Sequence, residues 1–468
     1  MRKQTKLYVL LGVLLVVCAA AFAVSRYEEK KEQIKNSGDV ILEIPTDSVT
    51  ALSWTNESGT FSFTKDETWV YDDDNDFPVD EEKINDLLEQ FTSFTASFAI
   101  DDVDDYAQYG LDDPVCKIHI TAGEESYTVE LGDFSKMDEQ RYLSIGDGKV
   151  YLAAHDPLDE FDAVLSDLIL DDTIPEFDTV DQIEFTGLEN YTIVRDEEET
   201  SICADDIYFT DGKPLDTDNV NALLNAIQSL SLSGSVSYHA DDEALASYGL
   251  NDPELTIKLA YSTTDDDGNT EDSGTLLLRI SRDPEELAAY EEAVENDEEE
   301  LPEVSCYVRV GQSRIVYPIT QDEYDALTAV SYDTLRHQRL FTADFDTATS
   351  IDVSLSGESY TFTRVPAEDE DDEDSWTYQD ETFEIADLQN ALVAITASDF
   401  TEETPAGQEE ISLTVHLDNE DFPTFTLTLY RLDGTNCIAT VDGKAVALVS
   451  RSQTVDLIEA VNELTLGS

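Results

Sequence analysis

The chain has 468 residues, of which 105 are Asp or Glu and 26 are Lys or Arg, and its formal net charge is -79 at pH 7. A negative charge of this size repels phosphate backbones and anionic lipid head groups, so it excludes nucleic-acid binding and adsorption to a membrane through a basic face. Hydrophobic residues, with 21 Tyr and 19 Phe among them, make up 41% of the chain. We therefore expect folded domains, about two to four of them, rather than a disordered chain.

Near the N-terminus, Arg2, Lys3 and Lys6 precede an uninterrupted apolar stretch from Leu7 to Val24. This stretch reaches the length of about 18 residues that makes a transmembrane candidate, and it exceeds the apolar block of about 7–15 residues in an ordinary signal peptide. We predict a retained signal anchor at 1–24, with a stalk at 25–39. A cleaved signal stays an alternative, because Ala21–Ala23 offers the small-x-small pattern of a cleavage site. The basic residues that flank the stretch do not decide its orientation.

An internal repeat follows the stalk. Each of three copies opens with a strand whose apolar residues have the same spacing. These strands contain Val49, Leu52 and Trp54; Val180, Ile183 and Phe185; and Ala348, Ile351 and Val353. The same spacing in three places predicts that the opening strand is buried in the same way in each copy.

Each copy then has an amphipathic helix with apolar residues at positions i, i+3, i+4 and i+7. The helical stripes are Ile84, Leu87, Leu88 and Phe91; Val220, Leu223, Leu224 and Ile227; and Leu388, Ala391, Leu392 and Ile395. Such a stripe packs against a sheet. Asp80, Asp216 and Asp387 precede the stripes, where a carboxylate can cap the free amides of a helix N-terminus.

A turn motif follows the helix in the first two copies. It comprises Tyr109, Gly110, Leu111 and Pro114 in the first, and Tyr248, Gly249, Leu250 and Pro253 in the second. Glycine accepts the left-handed conformation that ends a turn, and proline forces the preceding residue into extended geometry before the next strand. We interpret the motif as a structural turn rather than a ligand site. The third copy lacks it.

Four alternating strands at short turn spacing come next in each copy and predict antiparallel meanders. The predicted fold class is α+β, a tandem repeat of three modules in which a meander sheet packs with amphipathic helices, after an N-terminal transmembrane helix. The expected modules are 40–175, 176–345 and 346–468. The second carries acidic insertions, which we expect to be solvated loops, with a short helix around Leu287, Tyr290 and Val294 as the alternative for 283–303.

This order of a signal anchor, repeated modules and the turn at Tyr109–Pro114 and Tyr248–Pro253 resembles the bacterial domain-of-unknown-function family 4340. The resemblance covers most of 40–345 and, more weakly, the last module. Members of that family look like membrane-anchored extracytoplasmic proteins, often encoded beside ABC-transporter components similar to those of the gliding-motility auxiliary system. The resemblance implies an accessory or binding role at the envelope and supplies no catalytic residues.

The residues that usually carry chemistry form no familiar sequence motif. The five histidines (His119, His155, His239, His337 and His416) make no HxH or HExxH pair, and no two cysteines form a CxxC pair. Neither a GxSxG elbow nor a phosphate-binding glycine loop occurs. We therefore predict no catalytic, cofactor-binding or metal-binding residues. Cys116, Cys306 and Cys437 lie in strand-like runs, and we expect cysteines that are small buried hydrophobes, with disulfides as the alternative.

Carboxylates are too abundant for a pair of them to indicate a glycosidase. Calcium is the better-motivated ligand, because hard cations prefer oxygen. The candidate loops are 72–76 and 265–271, but each has a bulky residue, Phe77 or Thr270, where a calcium loop has its glycine. Diffuse association of cations is the simpler expectation.

The leading hypothesis is a non-enzymatic scaffold or binding protein of the envelope. We expect a single-pass protein of the cell membrane, held by residues 7–24, with most of the chain extracytoplasmic. Its expected partners are ABC-transporter subunits or other envelope proteins. The alternatives are a secreted or surface hydrolase that uses carboxylates, and a calcium-stiffened adhesive or spacer array.

Overall fold

The computed structural model describes residues 38–265, 269–367, 374–379 and 381–466. The predicted anchor and nearly all of the predicted stalk lie outside these residues. Within the described part of the chain, no helix combines the length and the apolar character needed to cross a membrane.

The protein is α+β, as predicted, and its strands form three largely antiparallel sheets. The chain divides into two compact units. The described residues of the first unit are 38–173, 232–241 and 313–318, and those of the second lie within 174–231, 242–312 and 319–466. The first sheet belongs to the first unit, and the third sheet to the second.

The strands of the first sheet are β1 (Asp39–Leu42), β2 (Val49–Asn56), β3 (Gly59–Lys65), β4 (Trp69–Tyr71), β5 (Phe94–Ile100), β6 (Cys116–Ala122), β7 (Glu125–Ser135), β8 (Gln140–Ser144) and β9 (Val150–Ala153). Those of the second copy are β10 (Thr179–Gly187), β11 (Thr192–Arg195), β12 (Tyr208–Thr210), β13 (Lys213–Pro214), β14 (Leu255–Thr264), β15 (Thr270–Arg282), β16 (Cys306–Val310) and β17 (Tyr317–Ile319). Those of the third are β18 (Ala348–Leu355), β19 (Glu358–Val365), β20 (Ser375–Tyr378), β21 (Glu381–Phe383), β22 (Asp399–Phe400), β23 (Glu409–Leu417), β24 (Thr424–Arg431), β25 (Asn436–Val441) and β26 (Lys444–Ser450).

The three sheets share the order of their central strands, while the number of strands at the edges differs. The opening strand lies between a short hairpin on one side and the meander on the other. The first sheet runs β4-β3-β2-β6-β7-β8-β9-β5-β1, the second begins β13-β12-β11-β10-β14-β15-β16, and the third runs β21-β20-β19-β18-β23-β24-β25-β26-β22. The opening strands β2, β10 and β18 therefore occupy corresponding places.

A register irregularity recurs at the same point of all three opening strands. It follows Val49 in the pairing of β2 with β6, Val180 in that of β10 with β14, and Ala348 in that of β18 with β23. Val49, Val180 and Ala348 are each the first buried residue of their strand. Val49 and Ala348 also begin their strands, whereas Val180 follows Thr179. Bulges are conserved features of families rather than accidents of folding, so this recurrence supports a common origin of the copies.

The apolar positions of the predicted opening strands all lie in cores. Leu52 and Trp54 are 0% exposed, as are Ile183 and Ile351. Trp54 is also in ring contact with Phe61, Phe63 and Phe161 in the first unit. Period-two burial on one face of a sheet is what the alternating pattern predicts.

The described residues contain these α-helices: α1 (Glu81–Glu89), α2 (Leu158–Phe161), α3 (Thr217–Gln228), α4 (Asp242–Ser247), α5 (Pro284–Glu295), α6 (Gln321–Thr328), α7 (Tyr332–Leu335), α8 (Ala386–Val393) and α9 (Arg451–Leu466). The predicted stripes are buried on α1, α3 and α8, except that Ala391 is half-buried. Asp80 and Asp216 are the N-caps of α1 and α3. The third predicted cap is wrong, because α8 begins at Ala386 and Asp387 lies inside its first turn.

Candidate functional site

The predicted turn motif has the same backbone geometry in both copies. Gly110 and Gly249 each have a φ of 71°, in the left-handed region. Leu111 and Leu250 are buried. Pro114 lies two residues before β6, as Pro253 does before β14.

Both glycines are enclosed by backbone. A Cβ atom on Gly110 would lie 2.8 Å from the backbone nitrogen of Asp133, and one on Gly249 would lie 2.8 Å from the carbonyl oxygen of Arg282. The tyrosines pack against neighbouring rings at steep angles, with centroids 5.0 Å apart for Tyr109 and Tyr142 and 4.8 Å apart for Tyr248 and Tyr307. The residues of the motif therefore contact the body of their own sheet.

The carboxylates of the first candidate calcium loop have separate partners. The two carboxylate oxygens of Asp72 accept hydrogen bonds from Ser62 and Thr64, and the carboxylate of Asp74 accepts one of 2.7 Å from Tyr238. In the second loop, Asp267 lies outside the described residues, and Asp265 accepts a hydrogen bond from the backbone N–H of Asn269. Across the described residues, neither loop forms a group of carboxylates close enough to share an ion.

The described residues do contain one such group elsewhere, in the second unit. Cys203, Asp206 and His337 each offer a ligand atom, and these atoms lie within 4.8 Å of one another. The Nε2 atom of His337 is 2.7 Å from Oδ1 of Asp206, and its Nδ1 atom is 3.2 Å from Oδ2 of Asp216. We call Cys203, Asp206, Asp216 and His337 the His337 cluster.

Three segments of chain position the His337 cluster. Cys203 and Asp206 lie in the loop between β11 and β12, and Asp216 caps α3 through the backbone N–H of Asp218. His337 follows α7 in the connector that leads to the third sheet. Ile202, next to Cys203, packs against the core of that sheet. The cluster thus joins the loop of the second copy to the connector.

The cluster is well shielded from solvent. The side chain of Asp206 is 1% exposed and that of His337 is 20% exposed. The second carboxylate oxygen of Asp206 accepts a hydrogen bond of 2.7 Å from Ser201 Oγ, so both oxygens of this side chain are engaged. A buried carboxylate needs such partners, because burying an unpaired charge is costly.

Two negative charges control the protonation of His337. Burial lowers the pKa of this imidazole, but hydrogen bonds to Asp206 and Cys203 and the charges of Asp206 and Asp216 outweigh burial and raise the pKa to about 10. The ring is therefore an imidazolium near neutral pH when no ion is bound; its Nε2–H donates to Asp206, and its Nδ1 lies 3.2 Å from a carboxylate oxygen of Asp216. An imidazolium held in this way has no lone pair with which to take the proton of Cys203, as a cysteine nucleophile would require.

Sequence reasoning missed the cluster because His337 and Asp206 are 131 residues apart and belong to no spaced motif. One weak signal was present: Cys203 lies outside strand-like runs such as those that hold Cys116, Cys306 and Cys437. In the structure Cys116, Cys306 and Cys437 are buried, whereas Cys203 is half-buried, and all four are free thiols.

The first unit has a pocket of about 550 Å³, formed by the segments around Phe77, Ile169 and Tyr238. Asp74 is the carboxylate among its described lining residues. With a single carboxylate, the described lining residues supply no pair of converging acids of the kind that a glycosidase uses.

Comparison with known proteins places the chain in a family. Two consecutive segments, residues 69–207 and 207–414, match the sequence profile of the family described as "Domain of unknown function (DUF4340)". A search of curated proteins gives no match. The two matches together span most of the chain and meet at Ile207, directly before β12. The chain therefore belongs to the DUF4340 family.

Proposed function

We propose that this protein is a non-enzymatic scaffold or binding protein of the cell envelope, held in the membrane by residues 7–24 and accessory to an ABC-type transporter. In this proposal the chain crosses the membrane once, and three tandem modules at 40–175, 176–345 and 346–468 lie outside the cytoplasm. The transporter partner is proposed from the family resemblance, because members of that family are often encoded beside ABC-transporter components.

The observation that carries the proposal is the common construction of the three sheets. Each has the same order of central strands, the same displaced register after the first buried residue, and a filled core beneath the opening strand. Repeating a whole packed unit multiplies surface area, which benefits a protein that makes contacts. A catalytic centre needs one arrangement of groups and gains nothing from three copies of a fold.

The sites described above support the same reading. The residues of the turn motif pack against their own sheet, since Gly110 and Gly249 both have backbone atoms of that sheet close to them. His337 has both ring nitrogens engaged by carboxylates. An imidazole that is protonated on both nitrogens does not act as a general base.

Site-specific photo-crosslinking in the native envelope tests the proposal. A photoreactive residue at Phe98 or Met137, which are 61% and 89% exposed, should crosslink to a transporter subunit. The matched control is the same residue at Phe161, which is 0% exposed and should give no intermolecular product. Deletion of 7–24 should release the protein from the membrane fraction and abolish the crosslinks.

Two results would contradict the proposal. In the first, the exposed positions crosslink to no envelope protein although the intact protein is present in the membrane fraction. In the second, protease added to spheroplasts, whose cytoplasmic membrane is intact, fails to cleave residues 38–466, which the proposed topology places outside that membrane.

A hydrolase is the second candidate, and a specific observation favours it. The His337 cluster lines a pocket of about 330 Å³ that also contains Asp205 and Asp218. If this were an active site, Asp206→Asn would abolish hydrolysis of a glycan or peptide substrate by the full chain. The scaffold proposal expects no hydrolysis by the wild type and unchanged crosslinking by this variant.

A further inference from the structure

The His337 cluster places a thiol beside an imidazole–carboxylate ion pair, and the ion pair alone does not account for the thiol. A thiol, a carboxylate and an imidazole, from Cys203, Asp206 and His337, direct one atom each to the same small volume. We propose that these three residues bind one zinc ion, through Sγ of Cys203, a carboxylate oxygen of Asp206 and Nε2 of His337.

The donor set selects the metal. Zinc accepts thiolate, imidazole and carboxylate ligands in tetrahedral sites, whereas calcium and magnesium require oxygen ligands alone. A thiolate also disfavours hard cations. Because the chain carries so many exposed carboxylates, a site with sulfur and nitrogen donors is the kind that can distinguish zinc from the cations gathered by net charge.

The distances fit a site that opens slightly when the ion enters. Nε2 of His337 and Oδ1 of Asp206 are 2.7 Å apart, bridged by a proton. Zinc lies about 2.0–2.2 Å from nitrogen and oxygen ligands, so two ligands of a tetrahedral site are about 3.4 Å apart. The two atoms therefore move apart by less than about 1 Å, and zinc takes the place of the shared proton.

The surroundings hold the ligands in the orientation that zinc requires. Histidines that bind zinc through one nitrogen usually donate the other N–H to a carboxylate, and Nδ1 of His337 is 3.2 Å from Asp216. Asp216 is itself fixed, because it caps α3. Ser201 donates to the second oxygen of Asp206 and leaves Oδ1 directed at His337.

The pocket beside the cluster leaves room for a fourth ligand. Its lining includes Asp205, Asp218 and Arg339 in addition to the cluster itself. A water molecule or a further carboxylate completes the tetrahedron there. Bound in this position, zinc ties the loop that holds Cys203 to the connector that holds His337, and both segments belong to the second unit.

Metal titration of the purified full chain tests the proposal. After removal of metal with a chelator, zinc should bind at one ion per chain in competition with a chromophoric chelator. Cobalt at the same stoichiometry should give the ligand-field bands of a tetrahedral site and a thiolate-to-cobalt charge-transfer band. Calcium and magnesium at equal ionic strength should not displace either metal.

Substitutions identify the ligands. Cys203→Ser should remove the charge-transfer band, and His337→Gln and Asp206→Asn should abolish stoichiometric binding. Asp216→Asn should weaken binding by about 10- to 100-fold, as is typical for the partner of a ligating histidine. Near-UV circular dichroism and retention of a cooperative thermal transition show that each variant is folded.

Two matched variants serve as controls. His416→Gln removes a second histidine whose Nε2 is 2.9 Å from a carboxylate, that of Asp352, but which has no thiol beside it. Cys306→Ser removes a thiol that is buried elsewhere. Both should bind one zinc as the wild type does. Absence of stoichiometric zinc in the wild type, displacement of zinc by calcium, or an unchanged cobalt charge-transfer band in Cys203→Ser would overturn the proposal.

Discussion

Asp80 and Asp216 perform the same two tasks in two different copies of the repeat. Each carboxylate caps a helix, accepting the backbone N–H of Glu82 or of Asp218. The backbone N–H of each aspartate donates a hydrogen bond of 2.9 Å to a carbonyl near the end of its copy. The acceptor is Leu168 for Asp80 and Leu335 for Asp216. The two differ in the partner of the second oxygen, which for Asp80 is the exposed Lys83 at 3.7 Å and for Asp216 is the shielded His337 at 3.2 Å.

This difference predicts unequal effects of the same substitution. Asp80→Ala loses a helix cap and should lower the free energy of unfolding of its unit by about 1 kcal/mol. Asp216→Ala loses the cap and also the partner of a charged imidazolium, which should add about 1.5–3 kcal/mol. Urea denaturation of each variant at pH 7, with chelator present, measures the difference. Equal effects would mean that His337 gains nothing from Asp216.

The turn glycines should respond to a methyl group according to the space around them. Gly110→Ala places a Cβ 2.8 Å from the backbone of Asp133, whereas Gly123, with a φ of 60°, has no atom within 4 Å of such a Cβ. Gly123→Ala should therefore cost only the strain of the left-handed conformation, about 1–2 kcal/mol. Gly110→Ala should cost that strain and about 1–3 kcal/mol of overpacking. Thermal unfolding of both variants gives the comparison, and a Gly110 variant no less stable than the Gly123 variant would refute the packing argument.

Glu254, directly after the second turn motif, should make the second unit sensitive to acid. Its carboxylate accepts hydrogen bonds from Arg282 and from the hydroxyl of Tyr324, at 2.7 and 2.9 Å. Burial raises the pKa of this carboxyl, but the hydrogen bonds from Arg282 and Tyr324 outweigh burial, so the pKa lies below its ordinary value. A lowered pKa in the folded state means that the ionised pair stabilises the fold above the unfolded pKa of about 4.3, and that this stabilisation is lost as the pH falls through the folded value.

Glu254→Gln should therefore reduce the free energy of unfolding at pH 7 by about 1.5–3 kcal/mol. The difference from the wild type should shrink as the pH falls below about 4. Glu184→Gln is the matched control, because Glu184 pairs with Lys258 on the surface, where both side chains are about half exposed. It should change stability little at any pH. A difference at pH 7 that persists unchanged at pH 3 would exclude ionisation of Glu254 as the cause.

Local periodicity predicted the parts of the fold that depend on short stretches of sequence. The opening strands and the helical stripes were predictable because period-two and i, i+3, i+4 patterns report directly which face is buried. Asp387 shows the limit of local signals. Its position suggested a cap, but α8 begins one residue earlier, with Ile385 before it and no side chain bonded to the first turn.

Long-range pairing was beyond the reach of these patterns. Sequence spacing does not reveal that the strand after the helix returns to the last meander strand, as β5 does to β9 and β22 to β26. The His337 cluster is the extreme case, because its members converge only when the loop at Cys203 meets a connector 131 residues later. The carboxylates that sequence reasoning did favour, around Asp74, are held instead by hydroxyl groups of their own unit.

The hydrogen bonds of the 72–76 loop lead to a prediction about cations. Asp72 is engaged by Ser62 and Thr64, and Asp74 by Tyr238, so forming a calcium site would require breaking these hydrogen bonds. Salt should nevertheless stabilise the protein, because a net charge of -79 repels itself and a Debye length of about 10 Å at 0.1 M screens that repulsion. Calcium and magnesium should therefore raise the melting temperature of chelator-treated protein along the same curve at equal ionic strength, and sodium should do so at higher concentration. A melting temperature that rises further with calcium than with magnesium, and that loses this excess in Asp74→Asn, would show that the loop binds calcium in spite of its hydroxyl partners.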